Sequence, residues 1–226
     1  MKKNIGIIFA DDMEYKPFEE FASKIGCDTT TLCGCNKITL ETKNATIHAI
    51  ESGIGKVNAA IATCVLKEQC GVELVLNAGL SGAVSGLVRE DVVAGQSYVE
   101  CDFDLRKFGY KQGQKPMGEY VYIADEKLLN SALEIHGVKS AKLGTGDFFL
   151  ADSAKKAEYL LEFSINAFDM ESAAIAAVCD KYKLPFLSVR KVSDDADDDS
   201  IHDYRKMNEK CESTLTEVLV KIIESI

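Results

Sequence analysis

The chain has 226 residues, 46% of them hydrophobic, with 26 basic against 36 acidic side chains and a net charge of −10. That size suits one compact domain over residues 1–226, and the acidic balance, with no Lys/Arg-rich run, argues against nucleic acid as a partner and for a small ligand of little negative charge. The start, Met1-Lys2-Lys3-Asn4, lacks the features of a signal peptide, and no apolar run reaches the roughly 18 residues of a membrane span.

Ile5–Ala10 reads as a short central strand. Glu14–Ile25 has helical spacing of Phe18, Phe21, Ala22 and Ile25 and stops at Gly26. Thr29–Leu32, Lys37–Glu41 and Thr46–Glu51 are Thr- and Ile-rich strand segments. Ser52-Gly53-Ile54-Gly55 turns into a helix over Lys56–Cys70. Val72–Asn77 is a buried strand leading to the loop Ala78-Gly79-Leu80-Ser81-Gly82, and Asp91–Glu100 is another strand. Residues 101–120 are polar and irregular, a long functional loop. Ala124–Ile135 is a helix and Val138–Gly144 a strand. Ser153–Phe163 and Met170–Tyr182 are helices, Pro185–Val192 is the last strong strand, and residues 203–226 close the chain as one amphipathic helix. The alternation implies an α/β fold of three layers, a central mixed β-sheet flanked by helices. In such folds ligands sit at the carboxyl ends of strands, here after Ala10, Asn77, Gly144 and Val192.

The eight cysteines, Cys27, Cys33, Cys35, Cys64, Cys70, Cys101, Cys179 and Cys211, form no CxxC pairs and have no nearby His. This argues against a zinc site and for reduced thiols in a cytoplasmic protein.

Val189-Arg190-Lys191-Val192-Ser193-Asp194 reads as a strand that stops on a hydroxyl and a carboxylate. Asp169-Met170-Glu171-Ser172 opens an apolar helix, and Glu14 follows the first strand. Each acid has an ordinary structural explanation, as a helix cap, a first-turn acid or a solvated loop residue. Each also has a chemical one. Asp194 stands among Asp195, Asp197, Asp198 and Asp199; like charges and partial burial push a carboxyl pKa upward and make a general acid. Asp198 and Asp199 are read as solvated. Glu171 can accept from two vicinal hydroxyls, as proteins hold ribose. The glycine turns at 53–55 and 79–82 can present N–H groups but match neither a Walker nor a Rossmann fingerprint.

In order, Glu14, Ser52-Gly53-Ile54-Gly55-Lys56-Val57, Asn77-Ala78-Gly79, Phe148-Phe149, Met170-Glu171 and Arg190…Ser193-Asp194 resemble the purine nucleoside phosphorylase and nucleosidase superfamily. Within it the chain is most similar to the 5′-methylthioadenosine/S-adenosylhomocysteine nucleosidases, nearly end to end. The resemblance implies a nucleoside phosphorylase-like fold and hydrolysis of a purine N-glycosidic bond with no metal or other cofactor. It gives Asp194, aided by Ser193, the protonation of the departing purine at N7, and Glu14 the activation of water. Glu171 and the Met170 backbone would hold the ribose hydroxyls, and Arg190 would order the water and hydroxyl network. Phe149 would stack on the base, the Leu150 backbone would read its edge, and Ile54 would join the substrate site. A homodimer is implied, in which Leu105, Phe108 and Pro116 complete the partner's 5′ pocket. Alternatives are a phosphorylase, another purine nucleosidase such as a futalosine hydrolase, or a nucleoside-binding protein without turnover. Water is favoured over phosphate because Asp12-Met13-Glu14 and Asn77 stand where phosphorolytic members carry arginines.

Two positions depart from the nucleosidase pattern, and a third keeps its aromatic ring but adds a hydroxyl. Leu80 replaces a small hydroxyl residue, with Ser81 next to it. Asp11 replaces an apolar Met near the 5′ end of the nucleoside, and Tyr204 stands where an aromatic ring, often Phe, covers the ribose. Asp11 and Tyr204 together imply a more polar 5′ specificity.

Overall fold

The computed structural model describes residues 2–118, 120–209 and 213–226, so Cys211 lies outside the described residues. In chain order the elements are β1 (Lys3–Phe9), α1 (Asp12–Ile25), β2 (Asp28–Leu32), β3 (Cys35–Glu41), β4 (Ala45–Glu51), α2 (Lys56–Cys70), β5 (Leu74–Ala83) and β6 (Val92–Glu100). A 3₁₀ turn at Arg106–Phe108 precedes β7 (Val121–Ile123), α3 (Glu126–Leu133), β8 (Val138–Thr145), α4 (Ser153–Phe163) and β9 (Ala167–Asp169). The chain then runs through α5 (Ser172–Tyr182), β10 (Phe186–Asp194), α6 (Ser200–Glu209) and α7 (Thr214–Ser225).

Among the described residues all the strands join one mixed sheet in the order β10-β6-β8-β9-β5-β1-β4-β3-β2, with β7 on β6. Because β10 pairs in parallel with β5 as well as antiparallel with β6, half of the sheet closes on itself. The other half stays open and ends in the exposed strand β2. Side-chain alternation on β1 shows why helices cover both faces. Phe9 packs against Tyr15 and Phe18 of α1, whereas an added Cβ at Gly6 would meet Leu66 of α2 at 3.1 Å. Helix α5 packs on α2, and α7 touches α1 and α3. Among the described residues no helix is long and apolar enough to cross a membrane.

Two sequence expectations need correction. The glycine-rich segment Ala78–Gly82 is not a loop. It continues β5, held extended by pairing from Val189↔Ala78 to Asp194↔Gly82, so that sheet hydrogen bonding overrides the conformational freedom of its glycines. The closing helix is two helices. The apolar stripe of Val218, Leu219 and Ile222 belongs to α7. The more polar α6 begins earlier, at Ser200, whose hydroxyl donates to Asp197 Oδ1 at 3.1 Å and accepts from Asp197 N at 2.7 Å. The short strands β7 and β9 carry too few residues to show a period and were not expected.

The closed half is tied together at Tyr98, a fully buried side chain on β6. Its hydroxyl donates to Gly95 O at 2.8 Å and accepts from Ser188 N on β10 at 2.9 Å. Tyr98→Phe leaves both backbone groups buried and unpaired, at a cost of about 1–3 kcal/mol. Urea unfolding should show a lower midpoint with an unchanged slope.

Candidate active site

The carboxyl ends of β1, β5 and β10 and the starts of α1 and α5 converge on a cleft enclosing about 540 Å³ including its open mouth. Asp194 lies at its floor because β10 bulges there. The register runs Val192↔Ser81 and then Asp194↔Gly82, leaving Ser193 as the extra residue. A bulge of this kind re-aims side chains at a strand end. Ser193 Oγ donates to Asp194 Oδ2 at 2.7 Å, and Ala196 N donates to Oδ1 at 2.9 Å. Burial raises the Asp194 pKa against these hydrogen bonds, while Asp195 adds a smaller push in the same direction. Burial rather than acidic crowding is therefore the chief cause. Asp195 instead pairs with Arg89 at 3.5 Å, and the exposed Asp198 accepts from Ser153 Oγ at 2.7 Å.

Helix α1 separates two acids by role. Asp11 is the N-cap, its Oδ1 accepting from Glu14 N at 2.9 Å. The capping task is thus filled, and the Glu14 side chain turns to the cleft. Glu14 Oε1 accepts from Leu80 N at 2.7 Å and Oε2 from Ala10 N at 3.0 Å. These donors favour the carboxylate, but burial, followed by the nearby charge of Asp11, outweighs them and pushes the Glu14 pKa up to about 8. A base of that strength is matched to proton transfer near neutral pH.

The same division recurs at α5. Glu171 occupies the N-cap position without capping, because Asp169 Oδ1 accepts from Glu171 N at 3.0 Å and Ser172 N at 2.9 Å. Glu171 Oε1 is left to accept from Gly55 N at 3.0 Å, and Oε2 lies 3.5 Å from the Arg190 guanidinium. Burial raises the Glu171 pKa, and Arg190 opposes it. Arg190 is only 1% exposed and sits beneath the cleft. Its Nη2 donates to Asn77 Oδ1 at 2.6 Å, its Nε to Ser188 Oγ at 3.1 Å, and Asp169 Oδ2 is 3.4 Å from Nε. Burial pulls the Arg190 pKa down, but Asp169, Glu171 and Glu14 more than offset it.

Glycine makes this convergence possible. A Cβ on Gly79 would lie 2.5 Å from Glu14 Oε1 and 2.6 Å from Arg190 Nη1, and one on Gly82 would lie 2.8 Å from Asp194 Oδ1. The remaining candidates line the same cleft: Ile54, Phe149, Leu150, Met170, Ser193 and Tyr204, together with Asp11. The Phe149 and Tyr204 rings meet edge-on with centroids 5.2 Å apart. Leu80 and Ser81 also line it. Leu105, Phe108 and Pro116 do not join this group; they sit on the 101–120 loop, where Phe108 is 78% exposed. Among the described residues no cluster of His, Cys, Asp and Glu is placed to hold a metal ion.

Sequence reasoning missed Asp169, which lines the cleft, and Thr145 and Ser188, which stand behind it. Thr145 Oγ1 donates to Asp169 Oδ1 at 2.8 Å, and Ser188 Oγ donates to Asn77 Oδ1 at 2.8 Å. The one local signal was the acid two residues before Glu171. The others become neighbours only through strand pairing.

The Phosphorylase superfamily pattern matches residues 4–224. The chain belongs to that superfamily. A 5′-methylthioadenosine/S-adenosylhomocysteine nucleosidase of Bacillus subtilis is 34% identical over 206 residues, covering 88% of this chain and 89% of the relative. The crystal structure of the Helicobacter pylori 5′-methylthioadenosine/S-adenosylhomocysteine nucleosidase with butyl-thio-DADMe-Immucillin-A superposes with a TM-score of 0.96 at 26% identity, over 100% of both chains. A futalosine hydrolase from the same organism superposes with a TM-score of 0.95 at 26% identity, over 99% of this chain and 98% of the other. The fold is thus that of this superfamily, an α/β architecture with a mixed sheet flanked by helices.

In this superfamily member the spacing of the acids depends on bare backbone at position 79. Gly79→Ala should keep a native far-UV circular dichroism spectrum but displace Glu14, lowering kcat/KM for nucleoside cleavage by about 10²-fold or more.

Proposed function

We propose that the protein hydrolyses the N-glycosidic bond of a purine nucleoside, of the 5′-methylthioadenosine and S-adenosylhomocysteine class or a related adenine nucleoside, releasing the free base and a ribose sugar. One observation carries the choice of water as nucleophile. The described cleft lining holds Asp11, Glu14, Asp169, Glu171 and Asp194 and no Lys or Arg. A phosphate dianion would find no cation in this lining, and the buried Arg190 beneath is already engaged by Asp169, Glu171 and Asn77. The same acids suit a sugar that gains positive charge as its bond to the base breaks.

In this reading the C1′–N9 bond breaks with its electron pair moving to the purine, and Asp194, whose proton affinity burial raises, donates its proton to N7. Ser193 orients that acid. Water adds to C1′ and gives a proton to Glu14. Glu171 and the Met170 backbone take the 2′- and 3′-hydroxyls, and Arg190 fixes Glu171. Phe149 stacks on the base, whose edge meets the Leu150 backbone, and Ile54 covers the sugar. The proton on Glu14 then returns through solvent to Asp194, so one water is consumed per bond cut.

A homodimer fits the 101–120 loop. Its stem is anchored, with Gln112 Nε2 donating to Cys101 O at 2.8 Å and Gly113 N to Phe103 O at 2.7 Å. Its apolar tips are exposed, Phe108 by 78% and Met117 by 90%. This loop, through Leu105, Phe108 and Pro116, would complete the partner's cleft. The seven described cysteines are all free, which suits a reducing, cytoplasmic setting.

The test is to incubate the protein with adenine nucleosides, with and without inorganic phosphate, and to quantify base and sugar. Free adenine and free sugar should form at the same rate in both. Ribose 1-phosphate, or a strict need for phosphate, would overturn hydrolysis. Asp194→Asn should lose about 10²–10⁴-fold in kcat with nucleoside binding nearly unchanged.

A further inference from the structure

Two polar side chains in the cleft have no task in the reaction just described. Tyr204 Oη donates to Asp11 Oδ2 at 3.3 Å, while Asp11 Oδ1 is fixed by Glu14 N at 2.9 Å. One carboxylate oxygen is therefore locked into the helix cap, and the other makes a long hydrogen bond that a better donor can replace. The Tyr204 ring leans on Phe149 at the cleft mouth. Asp11 is joined both to Tyr204 and to the backbone of Glu14, and all three line the cleft, which puts this pair beside the acid assigned to the sugar.

A nucleoside has few substituents to distribute. With C1′ between Asp194 and Glu14, the 2′- and 3′-hydroxyls on Glu171 and the base at Phe149 and Leu150, only the group on C5′ remains. We propose that Asp11 and Tyr204 form the subsite for that group and select adenine nucleosides whose 5′ substituent donates a hydrogen bond or is cationic. This inference rests on the hydrolase reading for the orientation of the sugar.

A 5′-hydroxyl or 5′-ammonium supplies Asp11 Oδ2 with a donor and leaves Tyr204 free to donate to the substrate. A thioether supplies no donor and is a poor acceptor, so it separates the two side chains without replacing what it breaks. Sites built to hydrogen-bond a substrate group reject analogues that lack it, because their own buried polar atoms are left unpaired. A 5′-phosphate meets the Asp11 carboxylate with like charge.

The experiment uses the full chain and four compounds: adenosine, 5′-amino-5′-deoxyadenosine, 5′-methylthioadenosine and adenosine 5′-monophosphate. Values of kcat/KM are measured on the wild type, and dissociation constants on Asp194→Asn, where turnover is slow. Asn is as good an N-cap as Asp, so Asp11→Asn keeps α1 intact while removing the charge. The amino and hydroxyl nucleosides should lead 5′-methylthioadenosine by about tenfold or more, with the monophosphate last. Asp11→Asn should reduce the advantage of the amino compound over the methylthio compound by about tenfold, and Tyr204→Phe should narrow the lead of the hydroxyl compound. A wild-type preference for 5′-methylthioadenosine, or ratios that Asp11→Asn leaves unchanged, would overturn the subsite while leaving hydrolysis standing. The expected ranking in dissociation constants with no adenine released would overturn hydrolysis while leaving the subsite standing. Failure of all four to bind would overturn both.

Discussion

The fully buried guanidinium of Arg190 is the constraint on which the site depends. Burying a cation is costly unless it is both charge-paired and hydrogen-bonded. Here it is met by Asp169 at 3.4 Å and Glu171 at 3.5 Å, and its remaining N–H groups go to Asn77, Ser188 and the Leu80 carbonyl. These partners come from β5, the β9–α5 junction and β10 itself. One side chain therefore ties together β5, whose Leu80 N–H holds Glu14, and the two segments that carry Glu171 and Asp194. Removing a partner from such a group costs about 3–5 kcal/mol, because an uncompensated charge stays behind. The planar fork matters as much as the charge, since a lysine could not reach Asn77, Ser188 and Glu171 together.

Around that anchor, acids are paired so that one does structural work and releases the other. Asp11 caps α1, and Glu14 turns to the cleft. Asp169 satisfies the first N–H groups of α5, and Glu171 turns to the cleft. Asp194 needs a third device, the bulge at Ser193, because it lies on a strand. Burial then raises the proton affinity of all three cleft acids. The result is a set of carboxyl groups able to give and take protons, in a lining with no Lys or Arg to attract an anionic nucleophile. Bare backbone at Gly79 and Gly82 is what lets the acids come so close.

Most of this was legible in the sequence for identifiable reasons. The alternation of apolar strands with helices reads directly as a layered fold, and the strand ending in Ser193-Asp194 lies where its spacing suggests. The resemblance to nucleosidases brought Glu14, Glu171 and Asp194 into one site, and the cleft contains all three. What sequence could not show was which of two neighbouring acids would be the cap. Asp11 and Glu14, or Asp169 and Glu171, are equivalent as first-turn acids until hydrogen-bond geometry separates them. Nor could it show that Ala78–Gly82 is strand. Glycine richness signals a loop, and only pairing with β10 reverses that. Asn77 and Ser188 are 111 positions apart and meet only because β5 and β10 are neighbours.

The central claim is that these acids divide the labour, with Glu14 activating water and contributing little to holding the nucleoside. Glu14→Gln keeps the size of the side chain and removes the base. Rate and affinity should therefore be measured separately on this variant, by single-turnover release of adenine and by equilibrium binding of the same nucleoside. The expected result is a loss of about 10²–10⁴-fold in the chemical step with a dissociation constant within a few-fold of wild type. A variant that cleaves at the wild-type rate, or one whose whole defect lies in binding, would contradict that division.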